Sequence, residues 1–244
     1  MKHIADTMKT VVVMPTYNEA KNLPGIVAEL MALGLHGLEV VIVDDNSQDG
    51  TGHIADRLAE EYPGQVHVIH RPGKLGLGTA YKQGFRYALD HGASLVVEMD
   101  ADFSHSPADL PQMIEKAREY DVVVGSRYVP GGGVDEQWGP WRRFLSRFGN
   151  IYVRLMTGLQ VRDTTAGFKV FRREVLENLD LSHIRSHGYT FMIEMAYACQ
   201  QAGYRVCEVP IFFNDRVVGN SKMDLSIMWE AVWRVWQMRF QHRR

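Results

Sequence analysis

The sequence predicts an α/β protein built on a doubly wound, mostly parallel sheet with helices on both faces, and three observations predict it. Short apolar, β-branched runs recur at TVVVM (10–14), LEVVIV (38–43), QVHVIH (65–70), SLVVEM (94–99) and DVVVG (121–125). Helix-like stretches separate them: AKNLPGIVAELMAL, TGHIADRLAEEY, GTAYKQGFRYALDHG and PADLPQMIEKAREY. Each run is followed at once by polar or glycine-rich residues: PTYNE, DDNSQDGT, RPGKLGLG, DADFSH and SRY. Strand–helix alternation implies parallel pairing, and in such sheets ligands bind outside the carboxyl ends of the strands.

Taken in order, the first two strands deliver PTYNE and DDNSQDGT to that edge. The third runs into GKLGLGTA, a strand-to-helix turn. This is not a Walker A loop, because Gly78 is followed by Thr79 and Ala80 rather than Lys and Ser/Thr. Nor is it GxGxxG from Gly76, since Tyr81 holds the third glycine's place. What remains is either a plain tight turn or one that offers backbone N–H groups and Lys74 to an anion. The fourth strand delivers EMDADFSHSP, three carboxylates in five positions. Carboxylates at i and i+2 of an extended segment point the same way, so Asp100 and Asp102 can share one ligand. A divalent cation would remove their repulsion, and two carboxylates with room for water and phosphate oxygens suit Mg²⁺ or Mn²⁺. The alternative is a polar turn capping the helix after Pro107. Asp44 and Asp45 at the end of the second strand favour the metal. Glu98 shares the parity and is expected to sit deeper, paired. The fifth strand ends in SRY.

Composition narrows the class. With 244 residues, 45% hydrophobic and 23% charged, the chain suits one catalytic-size domain. No internal repeat, low-complexity segment or linker is visible. Cys199 and Cys207 lack metal or CxxC spacing, so neither a disulfide framework nor a zinc site is expected. MKHIADTMKT has no apolar core of a signal peptide, and the longest run free of Asp, Glu, Lys and Arg is ten residues, Met195 to Tyr204. A span needs about 20 apolar residues. The expectation is a cytoplasmic chain that crosses no membrane by itself and binds no nucleic acid. The net charge of −2 hides an asymmetry: residues 1–126 carry 10 Lys+Arg against 18 Asp+Glu, and residues 127–244 carry 17 against 11. Different partners are expected for the two halves.

The basic half holds two amphipathic stretches. From Arg143 to Met156, Phe144, Phe148, Ile151, Tyr152 and Leu155 fall on one helical face, and Arg143, Arg147, Asn150 and Arg154 on another. Such a helix can lie among lipid headgroups and collect an anionic phosphate. At the C-terminus, SIMWEAVWRVWQMRFQHRR gives a Trp-rich helix with a polar stripe of Glu230, Arg234, Gln237 and Gln241. Residues 226–240 would span only about 22 Å, too short for a bilayer. It is expected to lie on the membrane, to dock a membrane partner, or to pack on its own core.

Nine segments then resemble a known family: VVVMPTYNEAKNLP, VVIVDDNSQDGT, GLGTAYKQGF, VEMDADFSHSP, VVGSRYVPGG, WRRFLSRFGN, DTTAGFKVFRREVL, GYTFMIEM and EVPIFFNDRVVGNSKM. In order, from about residue 9 to 225, they resemble the GT-A-fold glycosyltransferases of family 2, specifically the polyprenyl-phosphate (dolichol-phosphate type) mannose synthases. The resemblance implies a GT-A catalytic domain over 1–215, with 216–244 forming a substrate-closing loop and a membrane-interface or partner-docking helix. It implies a nucleotide-sugar set of Pro15, Tyr17, Glu19, Val43, Asp45, Lys74, Asp100, Ala101, Asp102, Arg216 and Lys222. It implies Mg²⁺ or Mn²⁺ at Asp100, Asp102 and Ser104; the family often carries Gln at the last position, and serine is shorter. It implies an acceptor-phosphate set of Arg127, Arg142, Arg143 and Ser146, and a catalytic set of Asp102, Arg127, Arg143, Arg216 and Lys222.

The implied reaction is inverting, metal-dependent transfer of mannose from GDP-mannose to a polyprenyl monophosphate, peripheral on the cytoplasmic face of a membrane, with a separate transmembrane subunit as a further implied partner. The chemistry agrees: an alcohol acceptor needs a base, whereas a phosphate monoester is already a nucleophile near neutral pH. It needs positioning by arginine and lysine. Three alternatives stay open. UDP-glucose could replace GDP-mannose. A hydroxyl acceptor would need a base, for which Asp163 or Glu194 could serve. A binding module without catalysis would show a degraded site.

Overall fold

The computed structural model describes residues 8–184, 186, 188–215 and 235–236. The five sequence-predicted strands form where expected, as β1 (Thr10–Thr16), β2 (Leu38–Asp44), β3 (Val66–His70), β4 (Leu95–Glu98) and β5 (Val122–Ser126). Between them run α1 (Leu23–Ala32), α2 (Thr51–Glu61), α3 (Leu77–Asp90) and α4 (Leu110–Lys116), the last entered through a 3-10 turn at Pro107–Asp109. The second half adds β6 (Gly133–Val134), α5 (Pro140–Thr157), β7 (Lys169–Arg172), α6 (Arg173–Asn178), α7 (Tyr189–Gln201), β8 (Val206–Pro210) and β9 (Phe212–Phe213).

The main sheet has the order β3-β2-β1-β4-β7-β5-β8. β1 pairs in parallel with β2 and β4, and β2 with β3. β7 is antiparallel to both β4 and β5, and β8 is parallel to β5. Two antiparallel steps restore direction, so β1 to β5 all end at one edge. Alternation along β1 shows the two-sided core: Val11 and Val13 pack with Tyr81, Phe85, Phe171 and Phe191, while Val12 and Met14 pack with Leu23, Ile26, Leu30 and Leu110. One helix layer therefore contains α3 and α7, the other α1 and α4. A Cβ on Gly84 would lie 2.2 Å from Val13 Cγ1, so only glycine lets α3 sit this low on β1.

β4 ends at Glu98, so Asp100 and Asp102 stand beyond the strand, where the chain bends from Ala101 to His105. The turn closes through Phe103 in the left-handed region, φ +64°. Among the described residues, no helix is long and apolar enough to cross a membrane. Most of the C-terminal stretch, with Arg216 and Lys222, lies outside the described residues. Val235 is buried in the core cluster that includes Phe171 and Phe191, and Trp236 is exposed.

Candidate active site

The first two strand ends are tied by short polar links. Thr16 and Ser47 donate their hydroxyls to Asp44 Oδ1 at 3.1 and 2.5 Å. Asn18 and Asn46 take left-handed φ of 60° and 58°, a conformation asparagine tolerates, and the Asn18 N–H donates to Ser47 Oγ. Glu19 accepts from Asn22 Nδ2 at 2.8 Å, and Lys74 lies 4.0 Å over the Tyr17 ring. Pro15, Tyr17, Glu19 and Lys74 thus border one edge of the sheet. Asp45 is buried and doubly held: Arg71 binds Oδ1, and the Gly76 N–H donates to Oδ2 at 3.1 Å. Two residues of the expected nucleotide set behave differently. Val43 and Ala101 are buried, their side chains packed in the two core clusters, so only their backbone could meet a ligand.

The acidic turn sits on an ion pair. Glu98 is fully buried and accepts from Lys169 Nζ at 3.0 Å, the two residues facing each other across the β4–β7 ladder. Burial pushes the Glu98 carboxyl up despite the lysine. Lys169 also donates to the Ala166 carbonyl, beside Gly167. A Cβ on Gly167 would stand 3.3 Å from both Asp100 Oδ2 and His105 Cε1, so the missing side chain leaves that carboxylate room. Asp100 Oδ1 accepts from Tyr81 at 3.1 Å, and burial with the Asp100 charge pushes the phenol well above its ordinary value. Ser104 is buried and turns inward, donating to Asp102 Oδ1 at 2.6 Å. Burial pushes the His105 imidazole down to about 4, so it is neutral at neutral pH, between Phe168 and Phe213. Among the described residues, no three His, Cys, Asp or Glu gather as a complete cage. The donor set is a hard, oxygen-rich pair of carboxylates, which fits a Mg²⁺ or Mn²⁺ ion that takes its other ligands from water and phosphate.

Basic residues gather beside it. Arg127, after β5, closes a fork on Asp163 at 2.7 and 2.6 Å and reaches Thr165 at 2.7 Å. Arg142 stacks 3.9 Å over Trp138 and donates to Asp215 at 3.0 Å. Arg143, more exposed, donates to the carbonyls of Asp135 and Glu136. Ser146 Oγ accepts from Tyr128 at 2.6 Å. The four acceptor-set residues therefore line α5 and the end of β5. On the outer face of α5, Trp141, Phe144, Phe148, Ile151 and Leu155 are 52–75% exposed, a continuous apolar ridge.

Residues 11–180 match the model described as glycosyl transferase family 2. The chain belongs to glycosyl transferase family 2. This family 2 chain is 46% identical over 234 residues to the polyprenol monophosphomannose synthase of Mycolicibacterium smegmatis, covering 95% of this chain and 87% of that one. It is 44% identical over 225 residues to the undecaprenyl-phosphate mannosyltransferase of Micrococcus luteus, covering 92% and 91%. Among solved structures, glucosyl-3-phosphoglycerate synthase from Mycobacterium tuberculosis, with Mn²⁺, UDP-glucose and phosphoglyceric acid, superposes with a TM-score of 0.69 at 18% identity, covering 96% of this chain and 80% of that one. Mannosyl-3-phosphoglycerate synthase from Rubrobacter xylanophilus gives 0.66 at 21%, covering 96% and 74%. These two likenesses show the GT-A-like fold.

Several residues of this family 2 site were not singled out from the sequence. Arg71 follows β3 directly and reads as an ordinary loop cation. Only the parallel β2–β3 pairing sets it against Asp45, where it also binds Thr79 at 2.6 Å. Lys169 hides in the short strand KVFR, and Tyr128 in a motif read for its arginine. For Arg71, the signal was a buried-type acid, Asp45, at one strand end and an arginine just past the next. Asp163, offered as a base for a hydroxyl acceptor, is fully buried and held by Arg127.

Proposed function

We propose that this chain transfers mannose from GDP-mannose to a polyprenyl monophosphate at a membrane surface. The observation that carries the reading is its 44–46% identity, over nearly the whole chain, to the two mannosyl-transferring relatives. The site supports the same chemistry. A non-bridging oxygen of the lipid phosphate attacks the anomeric carbon, its bond to the nucleoside diphosphate breaks, and the configuration inverts. No side chain removes a proton, because the nucleophile is already ionised.

Asp45, Glu19 and Tyr17 would hold the nucleoside, with Arg71 fixing Asp45. Arg127, Arg142, Arg143 and Ser146 would hold the acceptor phosphate, with Arg216 and Lys222 of the following segment on the diphosphate. Asp100 and Asp102 would hold Mg²⁺ or Mn²⁺, with the Ser104 hydroxyl orienting Asp102. The bound ion supplies charge neutralisation for the departing diphosphate. The α5 ridge would rest among lipid headgroups and bring the acceptor phosphate to the sheet edge. The pairing of Asp163 with Arg127 removes it as a free base, which leaves a hydroxyl acceptor only Glu194, a carboxylate that accepts from the Ser186 N–H at 2.9 Å.

The test is incubation of the purified chain with labelled GDP-mannose or UDP-glucose, a short polyprenyl phosphate and Mn²⁺ or Mg²⁺, following sugar into the organic phase. Transfer from GDP-mannose that EDTA abolishes is the expected result. Transfer from UDP-glucose alone would replace the donor, and transfer to free alcohols but not to the lipid phosphate would overturn the acceptor.

A further inference from the structure

An uncharged amide is buried on the inner face of α5. Asn150 stands among the arginines of the polar face on a helical projection, yet in the fold it points inward and is buried. The next inward residue, Val153, is an ordinary core side chain. Asn150 Oδ1 accepts twice from Thr164, from its N–H at 2.7 Å and its hydroxyl at 2.8 Å, while Nδ2 donates to the Ser146 carbonyl at 2.9 Å. Thr164 follows Asp163, whose carboxylate takes the side chain and the N–H of Arg127. Tyr128, the next residue, donates to the Ser146 hydroxyl at 2.6 Å. These links close a ring: Arg127 and Tyr128 after β5, Ser146 and Asn150 on α5, and Asp163 and Thr164 on the turn before β7.

We propose that Asn150 is a positioning residue that sets Arg127 and Ser146 at a fixed spacing to receive the acceptor phosphate, an inference that rests on the lipid-phosphate reading above. Packing alone would be met by an apolar residue at this inward position, as it is at Val153. A buried amide with both ends bonded instead fixes two backbones relative to one another, because each unmade bond would leave a buried polar group unpaired. The ring joins two of the four expected acceptor groups, Arg127 and Ser146, to one another. It includes neither Asp45 nor Arg71 nor Gly76, which bond among themselves. Its loss should therefore act on one substrate only.

The experiment measures KM for a short polyprenyl phosphate and for GDP-mannose, with kcat and thermal melting, in Asn150→Ala, Thr164→Val and Tyr128→Phe. Asn150→Ala should raise the acceptor KM about tenfold while the donor KM stays within about twofold, since misplacement of a positioning group acts on the substrate it positions. Thr164→Val keeps its N–H and loses its hydroxyl, so it should move the same constant less. Should Asn150→Ala not fold, Thr164→Val decides, and an unchanged acceptor KM in it overturns the proposal. So do equal rises in both KM values, or a lowered melting point with unchanged kinetics. Wild-type protein that transfers no sugar to the lipid phosphate overturns the underlying reading and this inference with it. Wild-type transfer with unmoved variants overturns the inference alone.

Discussion

The Arg127 guanidinium and the Asp163 carboxylate meet in a buried two-pronged pair. Burial by itself pushes the carboxyl up and the guanidinium down, and their mutual attraction and hydrogen bonds override it at both ends, so Asp163 titrates below and Arg127 above its ordinary value. The folded chain thus binds fewer protons at Asp163 than the unfolded chain does. Stability from this group is fully present above the ordinary carboxylate pKa of about 3.9 and is lost as pH falls through the lower native value. Asp163→Asn should flatten the stability–pH curve below about pH 4. It should also cost about 3–5 kcal/mol at neutral pH, because Arg127 would stay buried without its counter-ion. Urea unfolding at stepped pH measures both. Identical acid slopes in the two proteins would remove the pair as the acid-sensitive element.

At the scale of elements, legibility followed periodicity. The strands β1 to β5 and helices α1 to α4 were readable because each repeats a short apolar pattern bounded by polar turns. β7 was not: KVFR has a lysine where a central strand should be apolar, and its place is set by Glu98 on the neighbouring strand. The α5 ridge was readable from its helical spacing, with Trp141 added by the fold. The two residues nearest the ridge's edges were harder, since a projection assigns faces by angle and ignores what the helix packs on. Tyr152 turns toward the core, and Asn150 bonds beneath the helix. The acidic turn was found by composition, and the fold sets Asp100 and Asp102 just past the end of β4, ahead of a left-handed Phe103. The ridge itself is testable. Removing a buried Phe or Leu from an apolar phase is worth about 1.5–3 kcal/mol, and every 1.4 kcal/mol is tenfold. Phe148→Glu with Leu155→Glu should then weaken sedimentation with lipid vesicles by more than about tenfold while nucleotide binding is retained. Vesicle binding that survives both changes would move the membrane contact elsewhere.

Across the whole molecule, charge divides with the chain. Residues 1–126 carry 10 Lys+Arg against 18 Asp+Glu and supply Asp44, Asp45, Asp100 and Asp102 to the sheet edge. Residues 127–244, with 17 against 11, supply the arginines around α5. A nucleoside diphosphate approaching the acidic side is repelled unless a divalent cation accompanies it, whereas a lipid phosphate approaching the basic side is drawn in without one. The two substrates should therefore respond to different ions. Each Lys or Arg at an anionic membrane contributes about 1 kcal/mol, and the screening length falls from about 10 Å at 0.1 M salt to about 3 Å at 1 M. Raising NaCl over that range should lower binding to anionic vesicles to the level seen on neutral vesicles, where the apolar ridge holds the chain and salt changes little. EDTA should do the reverse, abolishing donor binding while vesicle binding persists. Salt-insensitive binding to anionic vesicles would mean that the ridge alone carries the attachment. The basic half would then serve the acceptor phosphate only after the lipid has arrived.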